Sequence, residues 1–129
     1  MRGSGVRIPS AAPVSALIAL FRMAGTGYTL ARMPFTVVLA PEAVADLKRL
    51  RADVRATVRD AIEAHLQHEP AKASRSRIKR LRGLRRPQYR LRVGEVRVFY
   101  DVSETIVEVL AIVAKSEAES WLAQFASPE

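Results

Sequence analysis

The chain has 129 residues, of which 21 are Lys or Arg and 13 are Asp or Glu, so its formal net charge is +8. This length suits one compact domain and excludes a multidomain enzyme or a large barrel. The sequence contains no cysteine, which excludes disulfides, cysteine zinc sites, iron–sulfur clusters and thiol nucleophiles. The basic charge points to a polyanionic partner, such as nucleic acid, an acidic protein or a membrane surface.

The positive charge is distributed unevenly. Residues 1–33 contain four arginines and no acidic residue, so residues 34–129 carry 17 bases against 13 acids. Within them, the segment from Lys72 to Arg97, here termed the basic segment, contains eleven bases and a single acid, Glu95. The rest of the domain is therefore slightly acidic, and a polyanionic partner would meet the basic segment first.

Residues 1–33 are expected to contribute little to function. Their apolar run, Val14 to Phe21, is far shorter than the about 20 residues that span a bilayer. The stretch GSGVRIPSAAP resembles translated 3′ ends of transfer-RNA genes, which favours a start assigned too early, with Met33 as the true start. A secretion signal is the alternative, although Arg22 interrupts the run. We expect a disordered extension or a miscalled start at residues 1–33 and one domain at residues 34–129.

The domain is predicted to begin with a strand and a helical region. The β-branched stretch from Phe35 to Ala40 predicts a strand that Pro41 closes. Apolar residues then recur with a 3.6-residue period from Val44 to Leu66. A turn near residues 51–53 would split this region into an antiparallel helical hairpin, and an unbroken helix is the alternative.

The second half of the domain is predicted to contain three strands and a helix. A basic loop is expected over residues 71–87, and the pattern then changes to a period of two in residues 89–93 and 96–101. Residues 105–114 form a nearly continuous apolar run, which indicates a central strand buried on both faces. A helix follows over residues 115–125, with Ser116 as its N-cap and Glu119 completing a capping box. The fold class is α+β, in the order β-α-α-β-β-β-α, with a mostly antiparallel four-stranded sheet packed against a helical hairpin and a C-terminal helix.

Three arginines are the main candidates for function. Arg90 and Arg92 share one sheet face because strand side chains alternate, and Arg97 follows on the adjacent strand. Arginine binds phosphate through a planar fork and stays charged at working pH, so the three could form a phosphate cradle. A solvated polar sheet face is the alternative. Tyr89 and Tyr100 alternate with charged residues and are expected in the core.

Other residues allow a structural and a functional interpretation. His65 and His68 have a spacing that can ligate zinc, but the neighbouring sequence offers few further ligands, so we expect an exposed helix end and no metal or cofactor. Phe99 shares a face with Arg97 and either stacks on a base or packs in the core. An apolar patch on the last helix is either core or a partner-binding surface; it comprises Trp121, Leu122 and Phe125.

The stretches IKRLRGLRRPQYRLRVGEVRVFYDV and VEVLAIVAKSEAESWL, together with the order of elements, resemble the RelE/ParE superfamily of bacterial toxins. These toxins belong to type II toxin–antitoxin modules and are also known as plasmid stabilisation proteins. The resemblance covers residues 34–125. It implies a RelE-like fold, a cytoplasmic protein, no membrane partner and inactivation by a cognate antitoxin encoded next to it.

The superfamily has two main activities. The RelE branch cleaves messenger RNA on the ribosome, and the ParE branch poisons DNA gyrase. The resemblance aligns Arg90 and Arg92 with strand lysines of the RelE branch and Arg97 with its strand arginine, which implies contact with the scissile phosphate. A further Arg and a C-terminal Tyr of that branch are replaced here by Ser116 and by Trp121 or its neighbour Leu122. Lys115 or an existing Tyr would then have to compensate.

A metal-independent messenger-RNA endoribonuclease is therefore the leading hypothesis. Its catalytic candidates are Arg90, Arg92, Arg97 and Lys115. Five further bases would bind nucleic acid electrostatically: Lys79, Arg80, Arg82, Arg85 and Arg86. The apolar patch of the last helix, Trp121, Leu122 and Phe125, would bind the antitoxin. Two alternatives remain open: a gyrase inhibitor without catalysis, and a degenerate member that only binds antitoxin and represses its operon.

Overall fold

The computed structural model describes residues 22–24, 27–31 and 34–129, the first two stretches by their backbone alone. The extension or miscalled start expected at residues 1–33 lies for the most part outside these residues and stays a prediction. The described strands are β1 (Arg22–Ala24), β2 (Gly27–Ala31), β3 (Thr36–Leu39), β4 (Ile78–Arg80), β5 (Leu84–Arg86), β6 (Tyr89–Val93), β7 (Val96–Ser103), β8 (Ile106–Ala114) and β9 (Ser127–Pro128). The described helices are α1 (Pro41–Arg49), α2 (Ala52–Ala61) and α3 (Ala118–Phe125).

Seven of the described strands form one sheet in the order β1-β2-β3-β8-β7-β6-β4. Strands β3 and β8 are parallel, and all other neighbours in this sheet are antiparallel. The central four strands, β3-β8-β7-β6, are the mostly antiparallel sheet that the sequence predicted. The apolar strand β8 lies between β3 and β7, and its residues 109–112 are buried on both faces, as its continuous hydrophobicity indicated.

Two short strands lie where a loop was predicted, so that prediction was wrong for six residues. β4 extends the sheet by pairing with β6, and β5 forms a separate two-stranded sheet with β9. Both segments are short and rich in bases, so they carry no alternation of polar and apolar residues that would reveal a strand. Backbone pairing with a neighbouring strand holds them in place.

The helical region is a hairpin. Leu50 is extended, with φ −72° and ψ 151°, and separates α1 from α2, which continues as a π-helical turn over Ile62–Leu66. The guanidinium of Arg55 donates to the carbonyl oxygens of Leu47, Lys48 and Leu50 at 3.3, 3.3 and 2.8 Å. These bonds satisfy carbonyls that the end of α1 leaves without partners and fix the corner. The unbroken helix is therefore excluded.

The hairpin packs on one face of the sheet and encloses the core. Residues from β3, β6, β7 and β8 meet both helices there, and Leu39, Leu47 and Leu91 are fully buried. Tyr100 is also fully buried, donates its hydroxyl to the Pro70 carbonyl oxygen at 2.6 Å, and stacks on Tyr89 with ring centroids 5.5 Å apart. The prediction that both tyrosines lie in the core is confirmed. The opposite face, here termed the second face, carries Arg90, Arg92 and Arg97.

The predicted capping box at the last helix is wrong. A 3₁₀ turn over Lys115–Glu117 precedes α3, whose N-cap is Glu117 and has no side-chain cap. The N–H of Lys115 donates to the Glu95 carbonyl oxygen at 2.7 Å, which continues the sheet pairing past β8 and delays the α-helix by one turn. Among the described helices, none combines the length and apolarity needed to cross a membrane.

Candidate nucleic-acid interface

Arg90, Arg92 and Arg97, here termed the arginine cluster, project from adjacent strands on the second face. Arg92 pairs directly with Arg97 in the β6–β7 ladder, and Arg90 pairs with Phe99. Side chains of directly opposed residues in an antiparallel pair lie on the same face, with Cβ atoms about 4.5–5.5 Å apart. The prediction that Arg90 and Arg92 share one face is therefore confirmed, and Arg97 lies on that face as well. None of them forms an ion pair with a carboxylate of the described residues.

Arg97 is anchored within the protein. Only 7% of its surface is exposed, and its Nη1 donates to the carbonyl oxygens of Gly94 and Val96 at 2.8 and 3.0 Å. The turn requires glycine at position 94, because its φ of 58° lies in the left-handed region. An arginine has five N–H donors, so this anchoring leaves others to meet an anion. Arg97 is thus a rigid cation at the base of the arginine cluster.

Arg90 is the least satisfied member of the arginine cluster. Its side chain is half-buried, and its Nε is buried without a hydrogen-bond partner. Burial, followed by the positive charges of Arg97 and Arg92, lowers the pKa of Arg90. An anion beside the guanidinium of Arg90 would offset part of the cost of burying this charge. Arg92 is exposed to solvent.

The residues expected to transfer protons lie in different places. Lys115 is exposed and begins the 3₁₀ turn beside the β6–β7 turn, next to the arginine cluster along the sheet. Ser116 is also exposed in this turn. Tyr89 and Tyr100 face the core on the other side of the sheet, so neither can reach a phosphate at the arginine cluster. Among the residues expected to transfer protons, Lys115 is therefore the one that lies beside the arginine cluster.

The C-terminal helix covers part of the second face. Trp121 stacks on Phe99 with ring centroids 5.0 Å apart and an interplanar angle of 4°, and Phe99 is fully buried. Base stacking on Phe99 is thereby excluded in this arrangement, because Trp121 occupies its ring face. Trp121 and Leu122 are half-buried, whereas Phe125 is 60% exposed. Trp121 thus packs in the protein, whereas Phe125 presents an exposed apolar surface whose role in partner binding stays a prediction.

Phe125 lies at the edge of a cleft of about 240 Å³. The cleft is lined by Ala40, Glu42, Arg86, Leu110, Trp121 and Phe125. Its lining is mainly apolar and aromatic and includes one acid, Glu42, and one base, Arg86. Such a surface can accept an apolar side chain of a partner while the two charges orient it.

The five bases predicted to bind nucleic acid are all exposed, but they do not form one surface. Lys79 pairs with Arg90 and extends the arginine cluster to the sheet edge. Arg80 pairs with Tyr89 instead, and its guanidinium lies 5.2 Å from the centroid of that ring. Arg82 and Arg85 lie on either side of Gly83, and neither forms an ion pair among the described residues.

Arg86, the fifth base, is partly neutralised. It lies 3.5 Å from Asp101 Oδ2 and 3.4 Å from Glu108 Oε1. Burial raises the pKa of both carboxyl groups, and the charge of Arg86 opposes that rise. Arg86 therefore serves an ion-pair network on the second face, and Lys79 is the base that most directly enlarges the arginine cluster.

Two arrangements were not foreseen from the sequence. Asp46 on α1 accepts the N–H of Ile112 at 3.0 Å, and Arg77 Nη1 lies 2.7 Å from His65 Nε2. Burial, followed by the charge of Arg77, lowers the pKa of His65. Neither pair has a local sequence signal, because its members lie far apart in the chain. No group of three or more His, Cys, Asp or Glu residues that could hold a metal occurs in the described part of the chain.

The fold and site define a small α+β domain with a cationic sheet face and an aromatic C-terminal helix. Residues 37–119 match the family model described as the ParE toxin of type II toxin–antitoxin system, parDE. The match covers more than half of the chain, which therefore belongs to this toxin family. The membership predicted from the sequence, in the RelE/ParE superfamily, is confirmed.

Two solved structures are similar to the chain. One is the RelB–RelE antitoxin–toxin complex from Methanococcus jannaschii, with 20% identity and a TM-score of 0.50, covering 64% of this chain and 95% of that chain. The other is the toxin–antitoxin complex RelBE2 from Mycobacterium tuberculosis, with 26% identity and a TM-score of 0.47, covering 64% of this chain and 99% of that chain. The first shows that the RelE-like fold is shared. Among curated proteins, none matches the chain significantly.

Proposed function

We propose that this toxin acts in the cytoplasm as a metal-independent endoribonuclease that cleaves messenger RNA on the ribosome. The observation that carries the proposal is the arginine cluster, which has no carboxylate partner among the described residues and contains a buried donor without an acceptor. Such a site suits the phosphate of an RNA chain, because guanidinium groups bind phosphate oxygens in a bidentate manner.

The reaction that fits this site uses the RNA itself as the nucleophile. The 2′-oxygen attacks the adjacent phosphorus and loses its proton to water, the bond to the 5′-oxygen breaks, and a 2′,3′-cyclic phosphate forms. Arg90 and Arg97 stabilise the negative charge that grows on the phosphoryl oxygens. The ammonium group of Lys115 protonates the departing 5′-oxygen.

Transcript mapping after induced expression tests this activity. Arg90→Ala is expected to lower the cleavage rate by about 10²-fold or more, since it removes a preorganised donor to the transition state. Arg51→Ala is the matched control, because this exposed arginine lies in the helical hairpin, on the other side of the sheet. Cleavage that persists undiminished in Arg90→Ala would contradict the assignment.

Gyrase inhibition without catalysis is the second candidate. The family description names the ParE toxin, and both core tyrosines face away from the arginine cluster, which favours binding over proton transfer. A supercoiling assay with purified gyrase separates the two activities. Gyrase-linked DNA breaks together with intact transcripts would replace the endoribonuclease proposal. A chain that is not toxic but still co-purifies with its antitoxin would instead be the degenerate member.

The cognate antitoxin is proposed to bind the C-terminal patch of Trp121, Leu122 and Phe125. Both similar solved structures are described as complexes of a toxin with its antitoxin. In this chain, the exposed Phe125 and the cleft beside it provide the apolar surface, and Glu42 and Arg86 provide the charges in its lining. An antitoxin segment with an apolar anchor between opposite charges would fit this surface.

A further inference from the structure

A second cleft lies between the end of the helical hairpin and the chain that leads into β4. Its volume is about 220 Å³. The polar residues of its lining are His65, His68, Glu69, Lys72, Ser74 and Arg77. Cationic and imidazole groups thus outnumber the single carboxylate.

The contact between Arg77 and His65 determines the protonation state of the His65 ring. Arg77 Nη1 lies 2.7 Å from His65 Nε2. A guanidinium only donates hydrogen bonds, so Nε2 must accept and the imidazole of His65 is neutral. No carboxylate of the described residues pairs with Arg77. The Arg77 guanidinium therefore lies against the His65 imidazole. Once protonated, that imidazole would donate a hydrogen bond to a bound anion.

The neighbouring groups are arranged to donate as well. Ser74 Oγ accepts the backbone N–H groups of Arg77 and Ile78 at 3.0 and 3.1 Å, which fixes the loop and leaves the hydroxyl proton for a ligand. Lys72 Nζ lies 3.7 Å from Glu69 Oε1, so the one carboxylate of the cleft already has a cation beside it.

The cleft is joined to the arginine cluster by adjacent backbone pairs. The N–H of Arg92 donates to the Arg77 carbonyl oxygen at 2.8 Å, and Lys79 pairs with Arg90. The chain from Arg77 to Lys79 thus places one cation at the cleft and another beside the arginine cluster. The cleft lies on the hairpin side of this edge and the arginine cluster on the second face, so a polyanion that passed round the β4 edge would meet both sites.

We propose that the cleft binds a phosphate group, and that this phosphate belongs to an RNA chain that passes round the β4 edge of the sheet to the arginine cluster. The RNA assignment rests on the endoribonuclease function proposed above. The volume of about 220 Å³ has room for a phosphate group, and the nucleobases of the RNA would lie outside the cleft. Arg77 supplies the main charge, with Lys72, His65 and the Ser74 hydroxyl as further donors.

Imidazole NMR provides a direct test, because the sequence has only two histidines. The probes are inorganic phosphate and a 2′-O-methyl RNA trinucleotide, which lacks the attacking hydroxyl and stays intact. Both are expected to shift the His65 signals and to raise the pKa of His65, since an anion stabilises the protonated ring. The charged and titratable groups that share the cleft with His65 are His68, Glu69, Lys72 and Arg77.

Variants locate the effect. Arg77→Ala is expected to weaken the binding of both probes roughly tenfold or more, because it removes a charge-assisted donor. Arg75→Ala is the matched control, since this exposed arginine lies two residues earlier and does not line the cleft. Arg77→Gln gives the same comparison should the alanine variant fail to fold.

The outcomes separate the site from the proposed function. No His65 shift with either probe, or equal binding by Arg77→Ala, would overturn the phosphate site. A shift with inorganic phosphate but none with the trinucleotide would overturn the RNA assignment. If both probes shift His65 while the chain cleaves no transcript, the phosphate site is supported and the endoribonuclease function fails.

Discussion

Replacing Asp46 by alanine is expected to destabilise the protein more than the loss of an exposed aspartate. β3 pairs with β8 only as far as Val109, so the N–H of Ile112 has no strand partner on that side. Asp46 Oδ2 accepts this N–H at 3.0 Å, and Asp46 also pairs with Arg49. The carboxylate therefore replaces a missing strand at a residue that is only 3% exposed.

The magnitude follows from the group left behind. A buried N–H without an acceptor costs about 1–3 kcal/mol, and Asp46→Ala is expected to lower the free energy of unfolding by that amount. Asp46→Asn keeps an oxygen acceptor and removes a charge whose burial raises the pKa of Asp46. It should therefore stay within about 1 kcal/mol of the wild type.

Urea unfolding, followed by circular dichroism and by the fluorescence of the single tryptophan, measures these differences. Asp60→Ala is the control, because its side chain is 69% exposed, and its effect should stay within about 0.5 kcal/mol. An Asp46→Ala protein as stable as the wild type would refute the reasoning. So would an Asp46→Asn protein as unstable as Asp46→Ala, since the acceptor would then be irrelevant.

Changes on the second face and at its rim test the other contacts. Trp121→Ala removes the stack on Phe99 and is expected to cost about 2 kcal/mol in urea unfolding, as Trp121 is half-buried; unchanged stability would contradict this. Phe125 is 60% exposed and its ring centroid lies 5.5 Å from that of Trp121, so Phe125→Ser should lower stability by no more than about 1 kcal/mol. It should weaken antitoxin binding about tenfold or more by calorimetry, and an unchanged affinity would place the antitoxin elsewhere. Burial raises the pKa of Asp101 and Glu108, so the folded state binds more protons than the unfolded state. Their contribution to stability is therefore greatest below the ordinary values of 3.8 and 4.5 and is lost as pH rises through the raised values. Asp101→Asn should flatten this slope in unfolding experiments between about pH 4 and pH 7, and an unaltered slope would count against it.

The period of the apolar residues and the positions of turn-forming residues were sufficient to predict the central four strands and the helices. The alternation in residues 89–93 and 96–101 located β6 and β7, and the continuous apolar run located β8, because burial of side chains determines those strands. β4 could not be predicted in this way. Its residues Lys79 and Arg80 are both exposed, and the strand exists because its backbone pairs with β6.

The candidate site was predictable in position but not in detail. Alternation alone placed Arg90 and Arg92 on one face, and the turn at Gly94 brought Arg97 beside them. The burial of Arg97 depends on carbonyl oxygens that the folded turn presents, which no residue pattern encodes. The Trp121 ring over Phe99 likewise results from tertiary packing of α3 on the sheet.

The three arginines of the arginine cluster differ in what an anion would gain from each. Arg92 is solvated, so an anion must displace water to reach it, and Arg97 already donates to two carbonyl oxygens. Arg90 has lost part of its hydration and has received no acceptor at Nε in return. An anion beside the Arg90 guanidinium would therefore offset part of the cost of burying that charge. On the proposed function, an RNA phosphate and an antitoxin carboxylate would both be attracted by this same unpaired charge. An acidic antitoxin segment reaching the arginine cluster would then compete directly with the RNA, and added salt would weaken both interactions.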